Sequence, residues 1–99
     1  MPKLLFSEAA AAQLRALGTD KGLAKRLKAV RSALGKMEVN LRHPGLSTHE
    51  FHSQRCPHGG KLYEAYAENQ TPAAYRIFWC YAPPPDKDTV LVVAITPHP

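Results

Sequence analysis

The sequence predicts an α+β domain in which two helices cover one face of a four-stranded sheet. Three observations support this fold class. A short apolar run near the N-terminus is followed by apolar residues at helical spacing up to Met37. The second half of the chain instead holds three runs rich in aromatic and β-branched residues, at 61–67, 75–81 and 89–95. The predicted order is therefore strand, helix, helix and a three-stranded antiparallel meander.

Length and composition indicate one globular domain spanning residues 1–99. A chain of 99 residues can bury one hydrophobic core, and its 44% hydrophobic and 21% charged content is typical of ordered proteins. No apolar run approaches the roughly 20 residues of a membrane span, and the N-terminus lacks a signal peptide's apolar stretch. Two cysteines, Cys56 and Cys80, are too few for a disulfide scaffold and fit a reducing compartment. We therefore expect a cytoplasmic protein.

The first strand and the first helix follow from residues 3–17. The run KLLF is long enough for one brief strand. Ser7 is a predicted N-cap, and Glu8 favours the first helical turn because its charge opposes the helix dipole. The alanine-rich segment that follows has high helix propensity, and Gly18 is its predicted end.

The second helix is predicted from one continuous apolar stripe. Thr19 or Asp20 can cap it, and Pro44 excludes its continuation. Steps of three and four residues separate the members of the stripe, which are Leu23, Leu27, Val30, Leu34 and Met37.

The three later strands should present two chemically different faces. Turn-forming segments separate them, which favours antiparallel pairing, and the run VLVVAI should be a central strand covered on both faces at least in part. Alternation directs four side chains of the middle strand towards the helices: Tyr75, Ile77, Trp79 and Tyr81. Arg76 then lies on the opposite, open face, beside Glu64 and Tyr66 of the preceding strand. An ion pair with Glu64, worth under about 1 kcal/mol, is one interpretation of Arg76; a bound anionic ligand is the other.

Positive charge is concentrated on the second helix. The chain has a formal charge of +5, and eight basic residues against two acids lie between Arg15 and Arg42. Such a basic face suggests nucleic acid or an acidic protein as partner, with an ordinary solvated helix face as the alternative.

The segment STHEFHSQRCPHGG, residues 47–60, brings His49, His52, Cys56 and His58 close together in sequence. A metal site is disfavoured because Cys-Pro-His packs two ligands tightly and no Cys-x₂-Cys pair supports it; we predict no metal and no cofactor. Acid–base chemistry and an ordinary polar loop remain as interpretations. His49 and His52 would face opposite sides of a regular strand, so a shared role requires irregular backbone.

In order and spacing, the chain resembles the RelE/ParE superfamily of toxin–antitoxin toxins, in particular the RelE/HigB/YoeB-like ribonuclease branch. The resemblance covers nearly the whole chain and rests on the segments LLFSEAAAAQLRAL, LRHPGLSTHEF, GGKLYEAY, AAYRIFWCY and VLVVAITPHP. It implies a ribosome-dependent mRNA endoribonuclease that works without metal. A ribose 2′-hydroxyl attacks the adjacent phosphate, which requires a base, an acid and cations for the phosphate oxygens.

The resemblance also implies a set of site residues. His49, His52, Arg76 and His98 match positions of the family's active face, and Glu64 and Tyr66 stand where some members carry lysines. Arg76 would bind the phosphate, with His49 as the base and His98 as the acid. Because Arg76 lies on the open face, its loss is expected to leave the core intact. Four further cations are predicted to bind RNA: Lys25, Lys28, Arg55 and Lys61.

The resemblance also implies the partners of the chain and the alternative functions to be considered. The expected partners are an acidic cognate antitoxin, the ribosome and mRNA, with no membrane, and the chain is expected to be a monomer or a homodimer. A ParE-like toxin that inhibits DNA gyrase is the first alternative, which the histidines disfavour. A RelE-like domain without nuclease activity is the second.

Overall fold

The computed structural model describes residues 2–69, 73–83 and 88–97. Strand β1 (Lys3–Phe6) precedes helices α1 (Glu8–Thr19) and α2 (Ala24–Val39), and strands β2 (His49–Arg55), β3 (Lys61–Tyr66), β4 (Tyr75–Tyr81) and β5 (Thr89–Pro97) follow. Short 3₁₀ turns lie at Lys21–Leu23 and Pro44–Leu46. Neither helix in the described part of the chain is long and apolar enough to cross a membrane. The α+β class predicted from the sequence is confirmed.

The sheet is mixed and has five strands in the order β1-β5-β4-β3-β2. The antiparallel meander of β3, β4 and β5 is confirmed. Strand β1 pairs in parallel with β5, so that Leu4 lies opposite Val90. The prediction of four strands is wrong because the histidine-rich segment forms a strand of its own, β2, antiparallel to β3.

Strand β2 escaped prediction because it is an edge strand. It has one neighbour, and most of its side chains are exposed, so its sequence HEFHSQR lacks the apolar pattern of a buried strand. Its pairing with β3 shifts register between Glu50 and Arg55. The irregularity expected from the sequence is therefore a break in an otherwise paired strand.

The helix ends follow from local capping. Ser7 Oγ accepts a hydrogen bond from the Ala10 N–H at 3.0 Å and donates to the Val93 carbonyl at 2.7 Å, which ties the start of α1 to β5. Helix α1 continues through Gly18 to Thr19, one residue beyond the predicted end. Asp20 then caps the 3₁₀ turn by accepting from the Gly22 N–H, and α2 begins directly after that turn.

The main core lies between the helices and one face of the sheet. The apolar stripe of α2 packs there against Ile77 and Trp79 of β4, as the alternation predicted. The opposite face carries a smaller cluster built on Leu62, Phe78 and the two cysteines. That face is consequently less open than the sequence suggested.

Candidate functional site

Four of the predicted site residues meet on the face of the sheet that the helices do not cover. These residues, which we call the polar cluster, are His49, Glu64, Tyr66 and Arg76. Strand pairing brings them together. His49 lies opposite Glu64 in the β2–β3 pair, and Tyr66 lies opposite Arg76 in the β3–β4 pair. Residues on one face of neighbouring strands come within contact distance at such positions.

Glu64 is the centre of the polar cluster. Its side chain is almost inaccessible, with the residue 1% exposed. Its Oε1 lies 2.8 Å from His49 Nε2 and its Oε2 lies 3.8 Å from Arg76 Nε. A buried carboxylate needs compensating charge and hydrogen bonds. His49 lies within hydrogen-bond distance, whereas Arg76 Nε, which makes no hydrogen bond in the described part of the structure, supplies charge. The cross-strand ion pair, one of the two interpretations of Arg76 left open by the sequence, is thus present, but in a buried setting.

Arg76 is a buried residue, 6% exposed. Its guanidinium lies 3.7 Å from the centre of the Tyr66 ring, and Nη1 donates to the Glu68 carbonyl at 2.5 Å. A second, longer contact runs from Nη1 to the Tyr75 carbonyl at 3.3 Å. The expectation that loss of Arg76 leaves the core intact is therefore wrong. Strand alternation identifies the face on which a side chain lies but not how deeply its neighbours cover it.

His49 is the accessible member of the polar cluster, with 46% of its side chain exposed. Its Nδ1 lies 3.2 Å from the Ser47 carbonyl, which a left-handed backbone at Ser47 (φ 46°) aims back at the ring. Both ring nitrogens therefore face acceptors, the Ser47 carbonyl and the Glu64 carboxylate. Only the doubly protonated imidazolium can donate to both at once.

The remaining predicted site residues lie elsewhere. His52 is on β2, its side chain 81% exposed and its Nδ1 3.4 Å from Glu50 Oε2, so the structure does not bring it to the polar cluster. His98 lies outside the described residues, one residue past the end of β5. Within β5, Thr96 pairs with Arg76.

The predicted RNA-binding cations fall on two sides of the molecule. Lys25 and Lys28 are exposed on α2, in the layer that packs on the opposite face of the sheet from the polar cluster. Arg55 and Lys61 pair with each other across β2 and β3, near the end of β2 away from His49. Arg55 donates to the Gly59 carbonyl at 3.3 Å, and Lys61 Nζ lies 3.9 Å from a Glu50 carboxylate oxygen.

The two cysteines form a disulfide, Cys56–Cys80, which differs from the thiols expected in a reducing compartment. Cys56 follows β2 and Cys80 lies on β4, and both are buried in the smaller apolar cluster. This pairing could not be predicted from the sequence because it depends on β2 being a strand. Cys56, Cys80 and His58 form a group of side chains of metal-ligating type in the described ranges, with their potential ligand atoms within 4.8 Å of one another.

We expect the protein with this disulfide intact to hold well under one equivalent of zinc. Sulfur binds zinc as a thiolate, which the disulfide does not provide, and His58 Nε2 already lies 2.8 Å from the Tyr81 carbonyl. Elemental analysis and thermal melting with and without chelator check this, together with titration of free thiols. Stoichiometric zinc whose removal also unfolds the protein would contradict it.

A cavity of about 440 Å³ was not predicted from the sequence. It lies between the segment 41–49 and aromatic side chains of β3 and β4, and its walls include Arg42, His43, Thr48 and Trp79. The available signal was the density of polar and cationic residues in LRHPGLSTHE. Comparisons of the chain with protein-family models, with curated proteins and with solved structures gave no match.

Proposed function

We propose that the protein is the toxin of a type II toxin–antitoxin system, a RelE-like cytoplasmic endoribonuclease that cleaves mRNA on the ribosome. The observation that carries the proposal is the polar cluster itself. An accessible histidine is held by a buried carboxylate, beside a guanidinium and a tyrosine, on the sheet face that the helices leave uncovered. These are side-chain types that general acid–base chemistry on a phosphodiester requires.

The proposed reaction is a transesterification without metal. The 2′-oxygen of one nucleotide loses its proton to a base and attacks the adjacent phosphorus. The bond from phosphorus to the 5′-oxygen of the next nucleotide breaks, and an acid protonates that oxygen. The products are a 2′,3′-cyclic phosphate and a free 5′-hydroxyl, so atoms and charge balance without a co-reactant.

Within this proposal Glu64 is a positioning residue and His49 is the group that reaches the substrate. With Nε2–H donated to Glu64, a neutral His49 can act as base through Nδ1 once its long contact with the Ser47 carbonyl is released. With both nitrogens protonated, the same side chain is a proton donor. His98, two residues beyond Thr96 in sequence, supplies the complementary role in the proposal.

Arg76 contributes mainly by holding the carboxylate and the tyrosine. Its Nη1 is engaged with the Glu68 carbonyl and its plane covers Tyr66. Arg76 therefore combines an electrostatic role with a structural one.

The partners divide between the two faces. Because Lys25 and Lys28 lie on the helical layer, they cannot contact the same short stretch of mRNA as the polar cluster. We propose that this basic layer meets ribosomal RNA or an acidic antitoxin, for which opposite charge would speed association. The ribosome would supply the alignment of the 2′-oxygen, which accounts for a large share of such rate enhancements.

Induced expression in a bacterium is expected to arrest growth and to lower protein synthesis before DNA synthesis. Pulse labelling with amino acid and thymidine precursors checks the order, and primer extension on a defined transcript locates cleavage. Co-expression of an acidic protein encoded beside this one should restore growth. A halt in DNA synthesis while transcripts stay intact would instead support the gyrase-directed alternative.

One observation favours the alternative of a RelE-like domain without nuclease activity. The Glu64–Arg76 pair is buried on the sheet, as a purely structural ion pair would be, although Arg76 Nε makes no hydrogen bond in the described part of the structure. Under that alternative, the expressed protein would bind an antitoxin but leave both transcripts and growth unaffected.

A further inference from the structure

We propose that the cavity beside the aromatic side chains of β3 and β4 binds a nucleotide, with the base against the aromatic wall and the phosphate towards Arg42 and His43. We call it the aromatic cavity; its walls include Arg42, His43, Thr48, Tyr63, Trp79 and Tyr81. The inference goes beyond the proposed function and does not rest on it, because binding at this site requires no cleavage chemistry.

Two residues that line the aromatic cavity, Thr48 and Trp79, each have one buried polar atom that lacks a hydrogen-bond partner. Trp79 Nε1 and Thr48 Oγ1 are both inaccessible to solvent and make no hydrogen bond in the described part of the structure. Trp79 itself is 2% exposed. An indole N–H can only donate, whereas a threonine hydroxyl can donate and accept. Buried groups of this kind are normally satisfied, and both belong to residues that line the aromatic cavity. A ligand that displaces the groups covering them, and that offers an acceptor and a donor, would satisfy both.

The wall of the aromatic cavity suits a planar ligand. Tyr63 stacks on Trp79 with ring centres 4.8 Å apart, and Tyr81 meets both rings edge-on at 5.9 and 5.1 Å. Tyr81, a large side chain on the wall of the cavity, is 42% exposed. An exposed ring fixed by two others is a stacking surface that loses little entropy when a base binds.

The charge on the walls has one sign. Arg42, His43 and His49 are basic, and no acidic residue lines the aromatic cavity among the described residues. His43 Nδ1 accepts the Gly45 N–H at 2.9 Å, so the ring proton of the neutral form lies on Nε2 and is available to a ligand. The volume of about 440 Å³ falls within the range of roughly 300–1,000 Å³ usual for small-molecule sites. A base with an attached phosphate uses all of these features, whereas inorganic phosphate uses only the cations.

The single tryptophan makes the proposal directly testable. Nucleoside 5′-monophosphates are titrated into the full-length protein while Trp79 fluorescence and its one indole N–H signal in a ¹⁵N-correlated NMR spectrum are followed. We expect saturable quenching and a downfield shift of the indole proton. Inorganic phosphate and ribose 5-phosphate should cause neither change. Equal responses to phosphate and to a nucleotide, or no saturable response at all, would overturn the proposal.

Matched variants separate the aromatic cavity from other surfaces. Thr48→Val should weaken nucleotide binding about three- to tenfold through the lost hydrogen bond, and Tyr81→Ala about tenfold or more through lost stacking. Arg42→Ala should reduce affinity for the monophosphate but not for the nucleoside. Thr19→Val and Arg31→Ala, exposed changes on the helices, should bind as the unchanged protein does. If Tyr81→Ala does not fold, Thr48→Val and Arg42→Ala decide, and unchanged affinity in both overturns the site.

The source of the nucleotide is settled by competition. A single-stranded RNA trinucleotide with 2′-O-methyl groups cannot undergo the proposed cleavage but presents the same bases. Displacement of the bound monophosphate by this RNA would assign the aromatic cavity to a base of an RNA strand. Retention of the monophosphate would assign it to a free nucleotide. Either result supports a nucleotide site, whereas binding that survives Thr48→Val with an unshifted indole signal contradicts it.

Discussion

Arg76→Ala is expected to lower the free energy of unfolding by about 3–5 kcal/mol, because it leaves one member of a buried ion pair without its partner. Glu64 is 1% exposed and would keep its 2.8 Å contact with His49. The change also removes the hydrogen bond to the Glu68 carbonyl and the cover over Tyr66. A domain has only about 5–15 kcal/mol of stability in total, so the effect should be obvious in a urea unfolding curve.

Two comparisons isolate the cause of this loss. Arg55→Ala removes an arginine that is exposed and makes one long hydrogen bond to a carbonyl, so it should change stability by no more than about 0.5 kcal/mol. Replacing both Arg76 and Glu64 with leucine removes the two buried charges together and should be much less destabilising than Arg76→Ala alone. An Arg76→Ala protein as stable as Arg55→Ala would show that the pair is solvated and that Arg76 is free to bind a phosphate.

The stability effect changes how a loss of toxicity is interpreted. Arg76→Ala can abolish growth arrest either by removing a charge from the reaction or by unfolding the protein. Arg76→Lys keeps a positive charge near Glu64 but loses the planar guanidinium that lies over Tyr66. A folded, inactive Arg76→Lys variant would therefore support a catalytic role, whereas an unfolded one would support the structural role alone.

Local patterns were sufficient to predict much of the fold. Capping at Ser7 and the apolar stripe of α2 identified the helices, and the alternation in β4 identified which side chains face them. The same period of two, combined with a short turn, predicted that Glu64 and Tyr66 would lie beside Arg76. These features depend on neighbours in sequence or on adjacent strands, which is why the residues alone disclose them.

Features that depend on depth and on edge position were not predictable. Strand β2 looks like a polar loop because its exposed face carries no apolar pattern, and the Cys56–Cys80 link depends on where β2 ends relative to β4. The burial of Glu64 and Arg76 reflects cover by side chains from several strands. The aromatic cavity likewise forms between the 41–49 segment and residues far along the chain. Each of these features forms only when the strands of the sheet have assembled.

His49→Ala is expected to slow ribosome-dependent mRNA cleavage by about 10²–10⁴-fold, the usual cost of losing a general acid or base. Its loss of folding stability should be smaller than that of Arg76→Ala, because the His49 side chain is 46% exposed and Glu64 keeps its contact with Arg76. The measurement is single-turnover cleavage of a defined transcript on purified ribosomes. An unfolding curve for each variant ensures that rates are compared between folded proteins.

The matched control is His52→Ala, which tests the predicted active-face role of His52 at the same time. His52 lies on the same strand as His49, but its side chain is 81% exposed and its described ion pair is with Glu50, outside the polar cluster. We therefore expect His52→Ala to cleave at close to the original rate. A loss equal to that of His49→Ala would show that the substrate reaches both histidines across the edge of the sheet.

Glu64→Gln and a double variant then test whether the histidine acts as part of a unit. Glutamine can keep a hydrogen bond to His49 Nε2 but not the negative charge of the carboxylate, so cleavage should fall less than in His49→Ala. If His49 and His98 serve one reaction as acid and base, changing both to alanine should slow cleavage far less than the product of the single effects, because groups that act together are not additive. Independent, multiplying effects would mean that the two histidines contribute separately, for example to RNA binding.

A folded His49→Ala protein that cleaves at the original rate would remove His49 from the reaction and leave the polar cluster as a structural feature of the sheet.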